Sequence, residues 1–493
     1  MSGLTKMLAF DFGASSGRAI LGIFDGEKLT LQEIHRFPNE PVEIRGSLHW
    51  DILRLFHEIK QGIHKCALEG HKDIESIAVD TWGVDFGLLD GQGNLLGNPY
   101  HYRDANTDGI MEEVYKIIPR DELYLKTGIQ HMKFNTVYQL YSMKHHGLAL
   151  LKQAKTMLLT PDLFNYFLTG VKAAELSIAS TSQLLDPTGA GWSLEIAGKL
   201  GLPEDIFPPI VVPGTVIGNL SPEIAHELGV QKAAVIAVAS HDTQSAVASV
   251  PSATDDFAYI SCGTWSLMGI ETDSPIVNEK SNALELTNEK GIGGKTNLLK
   301  NIMGLWLIQE CKRHWDLEGE KVSFADLEAL AAEAKPFVSF IDPENDMFMA
   351  PGDMPERIRE FCRKTRQPVP ETKGGIIQCI YQSIALKYRS TIEMLEEISG
   401  KKLPVIHMVG GGIKDKTLCR FTAEATGKKV VAGPVEATSI GNLMVQAMAL
   451  GRVRGLQEIR KVVMESFPAV TYESREAAAW SEAYDKYRKA VRL

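Results

Sequence analysis

The chain opens on alternating apolar and polar positions that are typical of consecutive β-strands. Three such stretches, MLAFD, RAILGIF and KLTLQEIHRF, lie between residues 7 and 37. A glycine-rich segment separates the first two, and an Asp25-Gly26 pair separates the last two. An Asp-Gly pair between alternating stretches is a strong hairpin signal. We therefore expect three strands in succession, joined by tight turns.

A helical period follows these strands. The segment DILRLFHEIKQGIHKCALEG, residues 51–70, predicts an amphipathic helix. After it, IESIAVDTWGVDFGLLD, residues 74–90, reads as one buried strand. Strands that alternate with helices predict a mixed α/β fold. The apolar face of the predicted helix consists of Ile52, Leu55, Phe56, Ile59 and Ile63.

The second half of the chain begins as the first half does. FAYISCGTWSLMGIET, residues 257–272, predicts a strand, a Gly-Thr corner and a second strand. The segment SVPSATDD, residues 249–256, is polar and rich in turn residues, which is typical of a domain boundary. We therefore predict two similar domains, residues 1–248 and 249–493. Such a pair of domains would face each other across a cleft.

Three further segments add elements to this outline. KAAVIAVASHDTQSAVASV, residues 232–250, predicts a buried strand, a polar corner and a helix. LPVIHMVGGGIKDKTLCRFTAEATG, residues 403–427, predicts a strand, three glycines and a helix, and residues 437–451 predict a helix of small residues. KNIMGLWLIQE, residues 300–310, predicts a buried helix on which Asn301 and Gln309 are polar exceptions, the alternative being that both side chains face solvent.

Composition and charge exclude several classes of partner. The chain has 493 residues, of which 44% are hydrophobic, and a formal net charge of −10. This charge argues against nucleic acid and anionic membrane surfaces as partners. The longest apolar stretches, such as AAVIAVA at 233–239, are far shorter than a membrane-spanning helix requires. Asp11 also interrupts the N-terminal apolar stretch too early for a signal peptide, so we expect a cytoplasmic protein.

Several common active-site motifs are missing from the sequence. EKGIGGKTN departs from the P-loop pattern because Glu289 takes the place of its first glycine. Neither G-x-G-x-x-G after a strand nor H-E-x-x-H occurs. The six cysteines form no C-x-x-C pair, which makes a zinc site improbable. Cys362 and Cys379 would form a disulfide if their backbones approach, and are otherwise reduced core thiols.

The segment DFGASSGR, residues 11–18, combines the groups that bind phosphate. Backbone N–H groups of small residues at a hairpin corner can converge on an anion. Ser15 and Ser16 add hydroxyl donors and Arg18 adds a cation, while Asp11 is placed to hold Mg²⁺ through water. The alternative is an ordinary tight turn in which Asp11 caps a backbone N–H group.

Two segments of the second half could contact the rest of a nucleotide. CGTWS, residues 262–266, repeats the corner and could supply a second set of phosphate contacts, although an ordinary β-turn would look the same. In VGGGIKDK, residues 409–416, three glycines would let a flat adenine or a ribose approach the backbone closely. The alternative is a plain connection between strand and helix, and Asp415 could cap that helix in either case.

The segment ASHDTQSAV, residues 239–247, places His241, Asp242 and Thr243 at a strand end, where α/β folds bind ligands. Asp242 is suited to accept a proton from an attacking hydroxyl, and His241 to bind the substrate. Asp242 could instead be a helix N-cap. Upstream, residues 80–87 and 99–109 mix aromatic and short polar side chains, which suits carbohydrate, but Trp82 could equally be core. The charged residues Asp80, Asp85, Arg103 and Asp104 could form an internal ion-pair network.

Taken together, these motifs resemble the FGGY carbohydrate kinases of the sugar kinase–Hsp70–actin superfamily. DFGASSGR, VDTWGVDFGLLD, ASHDT, CGTWSLMG, NIMGLWLIQ, MAPGDMPERIREFC and GGGIKDK occur in the family's order, and the resemblance spans residues 7–485. It implies two ribonuclease H-like domains on either side of a cleft. Two departures are Asp415, where relatives commonly carry Asn, and the lack of the Arg-Glu pair of glycerol kinases.

The resemblance implies a role for particular residues. Asp242 would be the catalytic base, and Asp11 would hold Mg²⁺. The sugar would contact Gly83, His241, Asp242, Thr243 and Asn301. ATP would contact Ala14, Ser15, Ser16, Gly17, Arg18, Thr264, Gln309 and Gly411.

The implied reaction is transfer of a phosphoryl group from ATP to the 1-hydroxyl of a deoxyketose, L-rhamnulose, in the breakdown of L-rhamnose. The two domains would close on the substrates and expel water. Another ketose, such as L-fuculose or L-xylulose, is an alternative substrate. A distant alternative is an ATP-binding sugar sensor without catalytic activity.

Overall fold

The computed structural model describes residues 3–491, which fold as two compact units. Unit 1 contains the chain up to Ala253 together with Glu271–Leu298 and Glu436–Phe467, and unit 2 contains the remainder. The predicted domain boundary at residue 248 stays a prediction, because unit 1 also includes two segments that follow this residue in the chain. Residues 1, 2, 492 and 493 of the predicted domain ranges lie outside the described part of the chain.

The strands of the described residues fall into two large sheets and three short two-stranded ribbons. They are β1 Thr5–Phe12, β2 Ser16–Phe24, β3 Leu29–Pro38, β4 Val42–Ile44, β5 Ser47–His49, β6 Ser76–Thr81, β7 Phe86–Leu89, β8 Thr156–Leu159, β9 Ala174–Glu175, β10 Ile210–Val211, β11 Thr215–Asn219, β12 Ala234–Ala237, β13 Phe257–Cys262, β14 Trp265–Thr272, β15 Thr287–Lys290, β16 Thr296–Met303, β17 Val405–Val409, β18 Lys429–Ala432 and β19 Val470–Tyr472.

The helices range from single turns to the long α15 of unit 2. They are α1 Ile52–Leu68, α2 Ile110–Tyr115, α3 Arg120–Thr127, α4 Thr136–His145, α5 Ala149–Gln153, α6 Thr160–Thr169, α7 Leu176–Ser180, α8 Leu194–Leu200, α9 Pro222–Leu228, α10 Asp242–Ala248, α11 Glu279–Ala283, α12 Trp306–Leu317, α13 Phe324–Glu333, α14 Met354–Lys364, α15 Lys373–Ser399, α16 Lys416–Thr426, α17 Ala437–Ala449, α18 Leu456–Ser466 and α19 Ala477–Val491. Short 3₁₀ helices occupy Ala105–Thr107, Glu204–Ile206, Ile292–Gly294, Asp346–Phe348 and Gly411–Lys414.

The sheet of unit 1 has the strand order β11-β12-β6-β1-β2-β3. β1, β2 and β3 are antiparallel, which confirms the three predicted strands, while β6 and β12 run parallel to β1. β1 is buried on both faces. Leu8 and Phe10 pack into one cluster of core residues, and Met7 and Ala9 into another.

The second sheet repeats this order. Its seven strands run β15-β16-β14-β13-β17-β18-β19. β13 and β14 form the antiparallel pair, β17 and β18 run parallel to β13, and β19 is antiparallel to β18. β13, β14 and β16 therefore correspond to β1, β2 and β3, which confirms that the halves of the chain are built alike.

Helix α1 shows how the sequence sets these elements. Asp51 caps its first turn by accepting a hydrogen bond from the amide of Arg54 at 3.2 Å, which satisfies a backbone donor that has no partner inside the helix. The predicted apolar face is largely correct, since Ile52, Leu55, Ile59 and Ile63 are buried and Phe56 is half-buried.

Two predicted elements are wrong in detail. Residues 74–90 form two strands, β6 and β7, because the chain turns at residues 82–85, where Val84 adopts a positive φ of 70°. Residues 300–303 belong to β16, so the predicted helix begins only at Trp306. Gly304 ends the strand at a close approach, because a Cβ atom there would lie 2.5 Å from Ser266 Oγ.

All six cysteines are buried free thiols in the structure. Cys362 on α14 and Cys379 on α15 are thus the reduced core thiols that the sequence offered as the alternative to a disulfide. Among residues 3–491, the helices are all too short or too polar to cross a bilayer.

Candidate active site

The turn between β1 and β2, which we call the first corner, consists of Gly13–Gly17. Gly13 donates its N–H to Ser16 O at 3.0 Å, and the side-chain amide of Asn39 donates to Gly13 O at 2.8 Å. The side chains of Ser15 and Ser16 are exposed while Ala14 is half-buried. Two hydroxyl groups therefore stand at the surface of a turn that backbone hydrogen bonds hold in shape.

Gly17 is required by close packing at this corner. A Cβ atom at residue 17 would lie 2.3 Å from the Phe37 ring on β3, well inside the contact distance of two carbon atoms. Because Phe37 belongs to the core of unit 1, any side chain at residue 17 would displace the ring or the corner.

Three charged side chains meet behind the first corner. Arg18 donates through Nε to Asp11 Oδ2 at 3.1 Å, and its NH1 lies 2.7 Å from Glu436 Oε2. Burial would lower the pKa of Arg18, but the charges of Asp11 and Glu436 outweigh that effect and raise it. The guanidinium is about one quarter exposed, so a donor face is available to an anion. Two carboxylates against one cation leave this group with net negative charge.

Helix α17 lines the sheet beneath this group with polar side chains at helical spacing. Ser439 Oγ donates to Asp11 Oδ2 at 3.0 Å, and Asn442 Nδ2 donates to Asp80 Oδ2 at 2.5 Å. Gly441 lets the helix approach α10, because a Cβ atom there would lie only 1.8 Å from Ser245 O. Serine and asparagine three residues apart on one helix face thus bind two neighbouring strand-end carboxyl groups.

Three carboxyl groups stand at the carboxyl ends of adjacent strands. Asp11 on β1 pairs in register with Asp80 on β6. The next residue of β6, Thr81, pairs with His241, which directly precedes Asp242. Burial and the charges of Asp11 and Asp242 raise the pKa of Asp80 well above its ordinary value. Asp80 therefore gives up its proton less readily than an exposed carboxyl group does, while Asp11 forms an ion pair with Arg18.

The donor set of Asp11 fits a hydrated magnesium ion. Within residues 3–491, hydrogen bonds reach only Oδ2 of Asp11, from Arg18 and Ser439. Oδ1 is thus left as a hard acceptor beside a group of net negative charge. Magnesium keeps several waters and is usually bound through one or two carboxylates plus substrate phosphates, so this donor set suits it. The described residues contain no group of three metal-ligating side chains that could enclose an ion.

Asp242 begins α10, with its side chain about 30% exposed. Oδ1 accepts hydrogen bonds from Thr243 N at 2.6 Å and from Thr243 Oγ1 at 3.2 Å, and the described residues place no hydrogen bond on Oδ2. Burial raises the pKa of Asp242 to about 6, although the positive charge of His241 opposes the rise. The carboxylate is thus ionised at neutral pH with one oxygen free to meet a hydroxyl group.

The backbone on the other side of Asp242 is held by buried groups. Glu175, at the end of β9, accepts a hydrogen bond from Ser240 N at 2.9 Å. Ser177 Oγ accepts a hydrogen bond from His241 N at 3.2 Å. These bonds position the residues that lead into α10 before any ligand is bound.

Gly83 lies in the turn after β6, where the chain bends away from the sheet. A Cβ atom at this residue would lie 3.1 Å from the side chain of Thr181, which also accepts a hydrogen bond from Val84 N. A larger side chain would therefore have to displace Thr181. The half-buried backbone of Gly83 stays open on its other side.

The aromatic residues after β6 belong to the core. Trp82 and Trp50 are buried with ring centroids 4.0 Å apart, which favours the core interpretation of Trp82 over a sugar platform. Both indole N–H groups donate to Asp85 Oδ2. Burial raises the pKa of Asp85 to about 7, and these donors oppose the rise. The alternative of an ion-pair network is wrong for Asp85, whose hydrogen-bond partners are neutral, and Asp104 accepts backbone hydrogen bonds from Leu48 and Asn106.

The turn between β13 and β14, which we call the second corner, consists of Cys262–Trp265 in unit 2. Gly263 donates its N–H to Trp265 O at 2.9 Å. The hydroxyl of Thr264 donates to Gln309 Oε1 on α12 at 3.3 Å. Thr264 and Gln309 are both half-buried, and their polar atoms face each other.

The three glycines after β17 pack directly on the second corner. A Cβ atom at Gly412 would lie 2.5 Å from Cys262 Sγ, and one at Gly410 would lie 3.1 Å from Cys262 O. Gly411 between them is exposed and would meet nothing. The glycines therefore allow β17 to approach the corner while leaving the backbone of Gly411 bare.

Within each unit, the structure brings most of the sequence-predicted residues together. Asp11 and Arg18 meet in unit 1, and Gly83, His241, Asp242 and Thr243 lie at the ends of neighbouring strands there. Thr264 and Gln309 are hydrogen-bonded in unit 2, where Gly411 lies between two glycines that pack on Cys262 of the second corner. Asn301, half-buried on β16, belongs to unit 2, whereas the other predicted sugar residues belong to unit 1.

Sequence reasoning missed several residues of the site. Glu436, Ser439 and Asn442 are more than 400 residues from Asp11 in the chain, yet they belong to the same unit. The signal that could have found Ser439 and Asn442 is the polar spacing within the otherwise apolar ATSIGNLMVQAMALG, residues 437–451, which Glu436 directly precedes. Asp80 was recognised only as a member of a charge network.

Known proteins resemble this chain along its whole length. Residues 6–249 match the N-terminal domain of the FGGY family of carbohydrate kinases, and residues 258–450 match its C-terminal domain. A rhamnulokinase of Bacteroides thetaiotaomicron is 45% identical over 487 residues, which cover 99% of either chain. A rhamnulokinase of Oceanobacillus iheyensis is 43% identical over 465 residues, covering 94% of this chain and 97% of that protein.

Solved structures share the fold. A ligand-bound xylulose kinase of Lactobacillus acidophilus superposes with a TM-score of 0.83 at 16% identity, covering 99% of this chain and 98% of the other. A glycerol kinase of Plasmodium falciparum, solved with ADP, gives a TM-score of 0.78 at 14% identity and covers 99% of each chain. The expected fold class, two ribonuclease H-like domains of the actin and sugar kinase type, is confirmed, and this chain belongs to the FGGY family of carbohydrate kinases.

Proposed function

We propose that the protein transfers the γ-phosphoryl group of ATP to the 1-hydroxyl of L-rhamnulose, giving L-rhamnulose 1-phosphate and ADP. The observation that carries the proposal is the ionised carboxylate of Asp242 at the start of α10, with one oxygen free, in a chain 45% identical to a rhamnulokinase. The carboxylate of Asp242 supports the phosphoryl transfer, and the similarity to a rhamnulokinase supports L-rhamnulose as the substrate.

Asp242 is the proposed catalytic base. Phosphoryl transfer has a loose transition state, so the protein mainly aligns the reactants and stabilises charge. Oδ2 would accept a hydrogen bond from the sugar hydroxyl and then its proton, as the new O–P bond forms and the bond between the γ-phosphorus and the departing ADP oxygen breaks. A base need only be ionised at the working pH. With a pKa of about 6, Asp242 meets this condition at any working pH above 6.

The first corner is the proposed phosphate-binding segment of unit 1. Its exposed Ser15 and Ser16 offer hydroxyl donors, and the backbone of Ala14–Gly17 offers N–H groups. Arg18 would place its exposed donors on a phosphate oxygen while Asp11 and Glu436 hold the guanidinium in place. Bound Mg²⁺ would screen the negative charge of the phosphates, with Asp11 holding one of its waters.

The proposed nucleotide contacts of unit 2 are neutral. The hydroxyl of Thr264 can turn from Gln309 to a phosphate oxygen, because the 3.3 Å hydrogen bond between the two side chains is long. The exposed backbone of Gly411 can lie against a ribose or an adenine.

The proposed sugar contacts are Gly83, His241, Asp242, Thr243 and Asn301. The half-buried backbone of Gly83 and the imidazole of His241 lie on the strand ends next to Asp242. Fixed polar partners at such positions can distinguish one hydroxyl configuration from another, because a mismatched hydroxyl leaves a buried partner unsatisfied.

Reduced thiols suit a reducing compartment, and we propose that the enzyme acts in the cytoplasm in the breakdown of L-rhamnose.

A panel of acceptors tests the proposal. ADP release would be coupled to NADH oxidation with L-rhamnulose, L-fuculose, L-xylulose and glycerol at equal concentrations, with ATP and Mg²⁺ in excess. We expect kcat/KM for L-rhamnulose to exceed that for each other acceptor by at least roughly 10-fold. ³¹P NMR of the product should show the phosphate on the C1 oxygen.

Two results would contradict this proposal in different ways. A higher kcat/KM for L-fuculose or L-xylulose would keep the kinase chemistry and replace the substrate. A basal ATP turnover that none of the sugars stimulates would favour an ATP-binding sensor.

A further inference from the structure

Glu289 on β15 contacts His241, the residue that directly precedes the proposed base Asp242. Its Oε2 is 2.9 Å from His241 Nδ1 and accepts a hydrogen bond from Gln244 Nε2 at 2.8 Å. The other end of Gln244 accepts a hydrogen bond from the side-chain amide of Asn297. All four side chains are buried, so Gln244 and Asn297 fix the carboxylate that meets the imidazole.

This contact decides which way the imidazole points. A carboxylate that contacts Nδ1 requires Nδ1 to carry a proton. With Nδ1 bound to Glu289, Nε2 is the ring nitrogen that faces Asp242. Nε2 lies 3.5 Å from Asp242 Oδ1. That distance allows an ion pair but is longer than a normal hydrogen bond, so an Nε2–H group can still donate to a substrate oxygen.

We propose that Glu289 is a positioning residue that holds His241 as an imidazolium, with its Nε2–H directed at Asp242 and at the bound sugar. The proposal rests on the proposed kinase function for its sugar contact. Glu289 itself touches neither substrate nor the reacting atoms. It acts through His241, whose positive charge then favours the ionised form of the base.

The charged groups around His241 agree with this role. Glu289 on β15, Asp242 on α10 and Glu175 on β9 are all acidic. Burial would lower the pKa of His241, but these three charges together raise it above its ordinary value of 6.5. Asp242 in turn faces Asp11, whose charge raises the pKa of Asp242 while the charge of His241 lowers it.

Loss of the Glu289 charge is expected to lower the pKa of His241 and to raise that of Asp242. In Glu289→Gln the largest charge that opposes burial is lost, while those of Asp242 and Glu175 remain, so the pKa of His241 falls. The pKa of Asp242 then rises, because its neighbour carries less positive charge at a given pH. The acid limb of kcat against pH should move to higher pH by roughly one unit, and kcat should recover at alkaline pH.

The first experiment follows the imidazole itself and needs no turnover. ¹⁵N-labelled histidine signals of the full-length protein would be titrated by NMR, with His241 assigned from the signal lost in His241→Asn. We expect the pKa of His241 to exceed 6.5 in the wild type and to fall by about one unit in Glu289→Gln. A neutral His241 ring at pH 6 in the wild type would overturn the proposal, even if the variant fails to fold.

The second experiment measures kcat and KM for the ketose between pH 5 and 9. Glu289→Asp, which keeps the charge, should return the acid limb toward its wild-type position, whereas Glu289→Gln should not. A uniform fall in kcat at every pH for Glu289→Gln would assign Glu289 a merely structural role. If the wild type phosphorylates no ketose, the proposed function fails while the NMR titration still decides the role of Glu289.

The chain offers a control in a second histidine–glutamate pair, in which the glutamate is buried and the histidine half-buried. Glu58 on α1 has Oε2 2.5 Å from His35 Nε2, outside the site described above. Glu58→Gln removes the same kind of contact and should lower thermal stability without moving the acid limb of kcat. An equal shift of the limb in Glu58→Gln would show that any lost carboxylate produces it, and would count against Glu289.

Discussion

The two corners have the same backbone plan, but the first is surrounded by charged side chains and the second by neutral ones. Each joins the antiparallel pair of strands at the centre of its sheet, and each is built from glycine and hydroxyl residues. Behind the first corner stand Asp11, Arg18 and Glu436. The second corner presents Thr264 against the neutral Gln309, with bare glycine backbone beside it.

The difference teaches how a repeated fold can divide one task. A duplicated strand pair gives two turns of similar shape, but shape alone does not bind a metal-bound polyanion. The charged corner can hold a cation and orient it, whereas the neutral corner can add hydrogen bonds without changing the charge balance. We therefore expect changes at the first corner to affect activity more than changes at the second.

Arg18→Ala should give the largest effect of the corner variants. It removes a charge-assisted hydrogen bond to phosphate, worth about 3 kcal/mol, so kcat/KM for ATP should fall roughly 100-fold. Steady-state kinetics at saturating sugar would measure this. Arg36→Ala is the control, because Arg36 is the register partner of Arg18 on β3 and its side chain, within residues 3–491, hydrogen-bonds only Glu33. Comparable losses in both variants would show that net charge alone is responsible.

Thr264→Val should have a smaller effect. It keeps the shape of the side chain and removes one neutral donor, so KM for ATP should rise about 10-fold while kcat changes little. Thr264→Ser retains the hydroxyl and should behave nearly as the wild type does. If Thr264→Val lowers activity as much as Arg18→Ala does, the proposed division between the corners is wrong.

Asp415, beside the second corner, should affect stability and leave activity nearly intact. Its Oδ1 caps α16 by accepting a hydrogen bond from Leu418 N at 2.9 Å, and its Oδ2 accepts one from Tyr381. Thermal unfolding should show a loss of about 1 kcal/mol for Asp415→Ala and much less for Asp415→Asn, which can still cap. A fall in ATP affinity for Asp415→Asn would instead assign this carboxylate to the nucleotide.

Local signals predicted much of this fold. The Asp25-Gly26 turn, the alternation of β1–β3 and the apolar face of α1 depend on neighbouring residues, and the sequence shows all of them. The helix wrongly predicted at 300–310 has a physical cause. Its strand is fixed by pairing within a sheet and ends where Gly304 packs on Ser266, and neither contact is local in the chain.

The candidate site was predicted only where its residues are close in sequence. Asp11 and Arg18 share a single hairpin, and His241, Asp242 and Thr243 share one corner. Glu436 and Ser439 reach Asp11 because residues 436–467 return to unit 1, and Glu289 reaches His241 because residues 271–298 do so too. Such long-range returns leave no periodic pattern, so a single sequence does not reveal them.

The most direct test of the account is the turnover of Asp242→Asn with saturating ATP, Mg²⁺ and L-rhamnulose, beside its affinity for a non-hydrolysable ATP analogue. Asparagine is nearly the same size but accepts no proton, so kcat should fall by at least roughly 100-fold while the Kd of the analogue stays within a few-fold of the wild type. A kcat close to that of the wild type would show that Asp242 is not the base, and the central claim would be wrong.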